Sequence, residues 1–558
     1  MSKAAEPPLE ELLGSTLGRR FALTAGEFPD REAVVIPELG VRKTYRELKC
    51  DADLAAKAFM ALGIGKGEHV AIWSSNRAEW HQAAYAAWKI GAVVVSVNTL
   101  FKAAELSHAL AVSDATTLVM ASGFRDLDYV ETLYQLAPEL REGAAGDIEA
   151  KAFPRLKRVL VLDDAPLPGM LSFKNALARA GSVADEELAK RESAVSPGDP
   201  ATMIFTSGTT GVPKGALLRH RSVLAEAFYS GREMGLKAGD RCLLPLPFFT
   251  IGGMQTGIVM PVCHAITAVS VHWFDAGKAL QIIQEERITL AIMVNTMWVA
   301  TLDLPDFGHF DLSSLTRGFS AGAPCPVAMM REIEQRYGIT MTIGYGLSET
   351  SAVVVSTNPA CPEEKRLGSV GRPLPGVEVK IVDRANGTEL AAGEQGEVCL
   401  RGWCNMIGYY QRPEATAEAL DRDGWLHTGD LGFVEEEGFL HITGRFKDVI
   451  IRGGQNIAAR EIEDLLHIHP RIADAYVIGV PSRKYGEEVL AAVMLRSGQE
   501  LSEEEVKQFC KANLARYKVP SYVWFVDSFP ANAMGKTQKF RLIDMAVRQF
   551  GLEKKRGG

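Results

Sequence analysis

Thr-Ser-Gly-Thr-Thr-Gly-Val-Pro-Lys-Gly, from Thr206 to Gly215, follows directly on the apolar run Ala201 to Phe205. The apolar run reads as a strand, and the ten residues after it hold four hydroxyls, three glycines and one lysine. Backbone amides in such a loop can approach phosphate oxygens closely, while Lys214 supplies positive charge. Thr206, Ser207, Gly208, Thr209, Thr210, Gly211, Val212, Pro213 and Lys214 are therefore read together as a nucleotide phosphate loop. A Walker A site needs Gly-Lys-Ser/Thr in succession, whereas Val212 and Pro213 separate Gly211 from Lys214, which disfavours P-loop NTPase chemistry. A Ser/Gly-rich linker is the bland alternative for this loop taken alone.

Short β-rich runs on the N-terminal side (Val70 to Trp73, Ala92 to Val97, Thr117 to Met120, Arg158 to Leu162) alternate with helix-like stretches at Glu79 to Ile90 and Ala103 to Ala111. The same alternation returns after the loop, at Arg241 to Leu244, Ala265 to Val271, Ala276 to Glu286, Leu290 to Val294 and Pro326 to Tyr337. Such alternation predicts βαβ units on parallel sheet. From Gly371 to Arg401 the texture shifts to strands with tight turns, a small β-subdomain. Beyond Arg445 a helix (Ala459 to His467), strands (Ile472 to Val480, Leu490 to Arg496), a second helix (Ser502 to Leu514) and Val523 to Val526 make one small α+β domain. The expected architecture is α/β: a large N-terminal domain of α/β subdomains plus the β-subdomain, residues 1–445, and a smaller mobile α+β domain, residues 446–558.

Composition bounds the partners. A chain of 558 residues, 47% hydrophobic and 23% charged, can bury a large multidomain core. Its formal net charge of -8 argues against nucleic acid or an acidic membrane surface as a general partner. The most apolar window, Gly257 to Phe274, is interrupted by Pro261, His264 and His272 and reads as buried core, not as a membrane span. No secretory or transit segment is expected at the N-terminus, so a cytoplasmic location follows by default. The eight cysteines form no CxxC pair, and neither Cys399 nor Cys404 has a histidine at metal-ligand spacing, so structural zinc is not expected. A homodimer is left open.

Further motifs follow the loop in order: Pro245 to Gly253 (PLPFFTIGG), Tyr345 to Thr350 (YGLSET), Thr428 to Asp430 (TGD), Gly444 to Ile457 (GRFKDVIIRGGQNI) and Gly535-Lys536. In YGLSET, Glu349 offers a hard oxygen ligand of the kind Mg²⁺ takes beside phosphates. Thr206 and Thr350 offer hydroxyls to an α-phosphate, and Tyr345 a flat face to a base. Asp430 sits where a carboxylate can accept from two vicinal ribose hydroxyls. Arg445 presents the planar, multi-donor group that suits ribose and phosphate.

Taken with the loop, these motifs resemble the adenylate-forming superfamily: acyl-CoA synthetases, nonribosomal-peptide adenylation domains and firefly-type luciferases. RGWCNMIGYY at 401–410 and KDVIIRGGQNI at 447–457 look most like medium-chain acyl-CoA synthetases. The resemblance implies ATP, Mg²⁺ and coenzyme A acting on a small-molecule carboxylic acid, through an acyl-adenylate and with release of AMP and pyrophosphate. It further implies that Gly322, Ala323 and Pro324 wall the adenine slot opposite Tyr345 and Gly346, and that Asp430 holds the ribose. By the same resemblance Lys447 is the hinge, Gly453 and Gly454 lie in the pantetheine tunnel, and Lys536 is the catalytic lysine acting with Thr206 and Glu349. Thr250 stands at the residue that gates the acyl pocket in the family, with Met254, Val294 and Trp298 as apolar lining. Ala531-Asn532-Ala533-Met534 before Gly535, Asn295 and Ala458-Ala459 depart from the family pattern. Rival readings are an adenylating enzyme that loads a carrier protein, a luciferase-type oxygenase, and a nucleotide-binding protein without catalysis. The PLPFFTIGG region lacks the aspartate that would hold an amino-acid ammonium, which weakens the first.

Overall fold

A computed structural model describes residues 9–143, 148–163, 167–206, 213–323, 325–452, 455–482, 484–531 and 537–552. Ala201 to Phe205 extends as strand Pro200–Thr206 inside an eight-stranded sheet. Leu171–Ser172, Arg158–Val161, Thr117–Met120, His69–Trp73, Val93–Ser96 and Pro200–Thr206 run parallel across it. Strands buried on both faces have no polar side to show, hence the unbroken Val/Ile/Leu runs that marked them. The parallel order stops at the phosphate loop. Pro200–Thr206 turns back as Lys214–Arg219, antiparallel with Thr206 opposite Lys214, and Gly408–Tyr409 closes the edge.

Thr340–Leu347, Arg317–Ala321, Leu290–Ile292, Arg241–Leu244, Thr267–Ser270 and Glu32–Ile36 form the parallel centre of a nine-stranded sheet. Its edges are antiparallel, with Ala352–Ser356 and Arg372–Pro373 on one side and Val41–Thr44 on the other. Helix His220–Glu233 packs between the sheets, touching Pro200–Thr206 and Lys214–Arg219 of the first and Ala352–Ser356 of the second. The apolar window folds as the π turn Gln255–Val259, helix Met260–His264 and strand Thr267–Ser270, buried as its interruptions implied.

Helix ends follow local chemistry. Thr44 and Glu47 exchange side-chain and backbone hydrogen bonds in a capping box that opens Tyr45–Ala61. Ala78–Ile90 closes on Gly91 at φ 78°, a conformation that favours glycine. Lys89, near that end, is 2% exposed, and its ammonium lies 2.8 Å from Asp53 and 3.0 Å from Glu192, which is how a buried charge is tolerated.

The β-subdomain is larger than its sequence texture indicated. Four antiparallel strands, Val377–Val382, Gly396–Gly402, Leu426–Val434 and Leu440–Arg445, carry it past Arg401 to Arg445. The one-turn Phe446–Asp448 then leads into a separate five-stranded sheet that begins at Val449–Arg452. Ile450, Ile462, Leu466, Val477, Val489 and Val506 form a core of its own beneath helices Ala459–His467 and Glu503–Asn513. Helix Lys539–Gln549 covers the opposite face through Leu542 and Ala546. The chain is thus a large N-terminal α/β body with a small α+β C-terminal domain. Arg496 of the small domain reaches Glu332 of the large one at 3.2 Å.

Candidate active site

The two large sheets bring the carboxyl ends of Pro200–Thr206 and Thr340–Leu347 toward the segment 404–410, which stitches them together. Met406 N donates to Glu349 O (2.8 Å), Ile407 N to Leu217 O (2.7 Å) and Tyr410 N to Gly215 O (2.8 Å). The crevice beyond strand ends in open α/β sheets is where ligands ordinarily bind.

Three of the sequence-predicted residues meet in one hydrogen-bonded cluster. Tyr345 Oη donates to Asp430 Oδ2 at 2.7 Å, and Arg445 Nε lies 2.7 Å from Asp430 Oδ1. Asp430 and Arg445 face each other across the antiparallel pair Leu426–Val434 and Leu440–Arg445, so the sheet register sets this contact. Asp430 is 2% exposed, with both carboxylate oxygens engaged. Burial, then the neighbouring Asp430 carboxylate, pushes the Tyr345 phenol well above its ordinary range, so it remains a donor. Arg445 is held above the usual guanidinium range: its burial opposes this, and Asp430, Tyr345 and Asp448 together outweigh it. At Lys447, burial first and Arg445 second push the ammonium down.

Behind Asp430 the structure supplies a partner that the sequence spacing did not show. His427 Nδ1 lies 3.5 Å from Cys399 Sγ and 3.2 Å from Glu397 Oε2, although 28 and 30 residues separate them. These are metal-ligating residue types brought together only by the fold, since no histidine stands at metal-ligand spacing from Cys399 in sequence. Burial, then Glu397, pushes the Cys399 thiol up to about 12, which keeps it protonated at neutral pH. The group serves as a brace: Glu397 Oε1 accepts from Gly429 N (3.1 Å), and Thr428 Oγ1 donates to Val398 O (2.7 Å), fixing the turn that presents Asp430.

A second cluster forms around Glu349. Tyr409 Oη donates to Glu349 Oε1 at 2.7 Å, and Lys214 Nζ stands 5.1 Å from the centre of the same tyrosine ring. Tyr409 therefore links the lysine of the phosphate loop to the carboxylate of YGLSET. Within RGWCNMIGYY nothing in the sequence marks this role for Tyr409 beyond a tyrosine beside a glycine. Thr206 Oγ1 lies 3.5 Å from Lys214 O at the base of the hairpin.

Thr350 takes a different position from the one expected. It is fully buried, and its hydroxyl accepts from Leu347 N (2.9 Å) and contacts Leu347 O and Ala352 O (both 3.1 Å). It closes the turn on itself, so in this conformation that hydroxyl faces the backbone and not a phosphate. Gly346 permits the closure: a Cβ there would lie 1.7 Å from Ala352 O. Gly322 sits at φ 81° with open space where a side chain would project. Ala323 follows it, and its carbonyl lies 3.5 Å from Cys325 Sγ.

Thr250 is 6% exposed and spends its hydroxyl locally, accepting from Gly253 N (2.9 Å) and donating to Pro247 O (2.8 Å) as a helix cap. Met254 is buried with Sδ 3.7 Å from Thr202 Oγ1. Val294 is half-buried before helix Asn295–Leu302. Trp298 is buried edge-on against Tyr337, ring centres 5.2 Å apart, and in this conformation it packs as core. Ser207, Gly208, Thr209, Thr210, Gly211, Val212, Pro324, Gly453, Gly454 and Lys536 lie outside the described residues.

A large α/β body, a β-subdomain that closes beside it and a small α+β domain joined at a single turn form the fold of adenylate-forming enzymes. The AMP-binding enzyme family model matches residues 21–410, and the model of the AMP-binding enzyme C-terminal domain matches residues 461–536. The chain belongs to the AMP-binding enzyme family. It is similar to "Putative acyl-CoA synthetase YngI" of Bacillus subtilis (strain 168), 41% identical over 98% of this chain and 99% of that one. It is also similar to the mitochondrial medium-chain acyl-CoA ligase ACSF2 of Danio rerio, at 36% identity over 97% of this chain and 90% of that one. Among solved structures it superimposes on the anthranilate CoA ligase AuaEII in complex with anthranoyl-AMP, with a TM-score of 0.85 and 26% identity over 99% of this chain and 100% of that one.

Proposed function

We propose that this chain is an AMP-forming acyl-CoA synthetase acting on aliphatic acids of medium chain length. ATP-dependent ligation of a carboxylic acid to coenzyme A through an acyl-adenylate follows from its family and from the acyl-CoA ligases it is similar to. The medium-chain preference is drawn from the likeness to ACSF2.

In the first half-reaction a carboxylate oxygen attacks the α-phosphorus of ATP. An O–P bond forms, the bond to pyrophosphate breaks, and the acyl-adenylate remains. In the second, the coenzyme A thiolate attacks the acyl carbon, a C–S bond forms and AMP departs with the other electron pair. Both reactants of the first step are anions, so the site must screen charge and align the attack. The observation that carries the assignment is that strand Thr340–Leu347 and the turn after it supply both Tyr345, bonded to Asp430 and through it to Arg445, and Glu349, bonded to Tyr409 beside Lys214. We assign Asp430 to the ribose hydroxyls, which would take over the acceptor capacity that Tyr345 and Arg445 now use. Lys214 and Thr206 serve the phosphates, with Ser207 to Pro213, and Gly322 to Pro324 face the adenine across from Tyr345 and Gly346.

Glu349 fits Mg²⁺: a carboxylate is a hard oxygen donor, and Tyr409 orients it by holding one of its oxygens. The ion would lower the negative charge of the triphosphate and of the departing pyrophosphate. Lys536 is assigned to the developing charge on the α-phosphorus. Rotation of residues 446–558 about Lys447 exchanges it for the loop at Gly453 and Gly454, which admits the thiol. We place the activity in the cytoplasm; among the described residues no helix is long and apolar enough to cross a membrane.

Pyrophosphate and AMP release should be measured with ATP, Mg²⁺ and a series of carboxylic acids, with and without coenzyme A, for the wild type and Lys536→Ala. The expected result is AMP release that requires both acid and coenzyme A. Lys536→Ala should lose adenylation while still converting supplied acyl-AMP to thioester. Pyrophosphate release indifferent to coenzyme A would point instead to a carrier protein as acceptor.

A further inference from the structure

The turn that carries Glu349 has an unusual backbone. Ser351 stands at φ 64° and Ala352 at φ 105°, the left-handed region that side chains with a Cβ rarely adopt. Neither residue is a glycine, and both are buried. Something must hold them there, because such a conformation persists only where its surroundings over-determine it.

Two buried polar side chains do so from outside the turn. Gln255 Nε2 donates to Ser351 O at 2.7 Å, and Glu226 Oε1 accepts from Val353 N at 3.0 Å. Ser351 O belongs to the peptide group before Ala352 and Val353 N to the peptide group after it. With both planes fixed, the two torsions of Ala352 are fixed as well. Ser351 Oγ adds a third tie, to Cys404 O at 3.0 Å, on the segment that leads to Tyr409. Gln255 is fully buried, and Glu226 is 1% exposed on helix His220–Glu233. Gln255 also opens the π turn Gln255–Val259, which continues the short helix capped by Thr250. Inserted π turns recur at functional sites, where the extra residue re-aims a side chain.

We propose that Gln255 and Glu226 are positioning residues for adenylation: they clamp the peptides on either side of Ala352 and thereby aim Glu349, tying the acyl-side helix to the nucleotide-side turn. The proposal rests on the reading of Glu349 as the nucleotide-side carboxylate. Burial pushes the Glu226 carboxyl well above its ordinary range, so it acts as a neutral acceptor, a part that glutamine can fill.

Gln255→Met keeps the volume and removes the donor; Glu226→Leu removes the acceptor, and Glu226→Gln keeps it. Each is assayed for acid-dependent ATP–pyrophosphate exchange and, separately, for conversion of supplied acyl-AMP and coenzyme A to thioester, with far-ultraviolet circular dichroism as the check on folding. The expected result is a loss of about tenfold in exchange for Gln255→Met and Glu226→Leu, the size of one net hydrogen bond to a positioned group, with thioester formation from acyl-AMP unchanged. Glu226→Gln should match the wild type in both. Equal losses in the two half-reactions, no loss in either, or failure of both Gln255→Met and Glu226→Leu to fold would overturn the proposal. A wild type that shows no ATP–pyrophosphate exchange would instead overturn the functional reading on which it rests.

Discussion

Tyr409 shows how a single side chain can join two motifs that lie far apart in sequence. Its hydroxyl holds Glu349 and its ring lies under Lys214, so Tyr409→Phe separates the two roles, keeping the ring and losing the donor. A hydrogen bond to a charged group contributes about 1.5–3 kcal/mol, so Tyr409→Phe should raise the KM for MgATP in adenylation by roughly tenfold or more. The KM for coenzyme A should stay unchanged. A steady-state comparison of the two constants checks this, and parallel rises in both would place Tyr409 outside the nucleotide site. At this scale the sequence was partly readable. Asp430, Arg445, Tyr345, Glu349 and Lys214 declare themselves because each stands in a short motif whose chemistry is local. Tyr409 and Glu349 are 60 residues apart, and Cys399 and His427 are 28 apart; such pairs leave no periodic trace. The Thr350 hydroxyl illustrates the same point. A hydroxyl beside a glutamate suggests a ligand donor, and only the closed turn shows that the backbone had claimed it.

Among the elements, the helices and parallel strands that were read lie close to their observed bounds, because burial on one or both faces forces the 3.6-residue and continuous apolar patterns. Helices Tyr45–Ala61 and His220–Glu233 and parallel strands Arg317–Ala321 and Thr340–Leu347 were not read. Thr117–Met120 and Ala459–His467 match their expected bounds. Lys214–Arg219 was not read, because an edge strand that returns from a glycine-rich loop has no distinct pattern of its own. Leu426–Val434 was hidden for the opposite reason: Thr428, Gly429 and Asp430 interrupt its alternation because they build the site. The small domain carries a testable pH dependence. His467 Nε2 pairs with Asp474 Oδ1 at 2.8 Å, and its Nδ1 meets the carbonyl of Glu463, whose carboxylate lies 2.7 Å from Lys539. Burial lowers the imidazole pKa most, but Asp474, through its hydrogen bond and charge, and Glu463 together outweigh it and leave it raised. A raised folded-state value means the native domain binds the proton more tightly than the unfolded chain. The stability contribution is therefore complete below the ordinary histidine value of about 6.5 and is lost as pH rises through the higher folded value. Urea titration followed by hydrogen exchange in helix Ala459–His467 should show protection falling as pH rises above that value in the wild type. The fall should be absent in Asp474→Asn; the same slope in both would remove the pair from the account.

For the whole molecule, the fold and the family explain why the chemistry sits at a boundary. Asp430 and Arg445, which we propose lie on the ribose side, come from the last strands of the β-subdomain, and the next sheet begins only four residues after Arg445, at Val449. On the proposed hinge at Lys447, a turn that short would let a small domain with its own core change its pose without disturbing Asp430. The charge of -8 offers no general basic surface for anionic ATP and coenzyme A, in keeping with the proposal that local groups such as Lys214 and Arg445 hold them. The central claim is that the acid is activated by its own carboxylate oxygen bonding to the α-phosphorus. The measurement that tests it most directly is a single reaction with a medium-chain acid labelled with heavy oxygen in both carboxylate positions, followed by mass spectrometry of the nucleotide and phosphate products. The account predicts one heavy oxygen transferred to AMP and none to pyrophosphate. Label recovered in inorganic phosphate beside ADP, or no label in any nucleotide product, would contradict it.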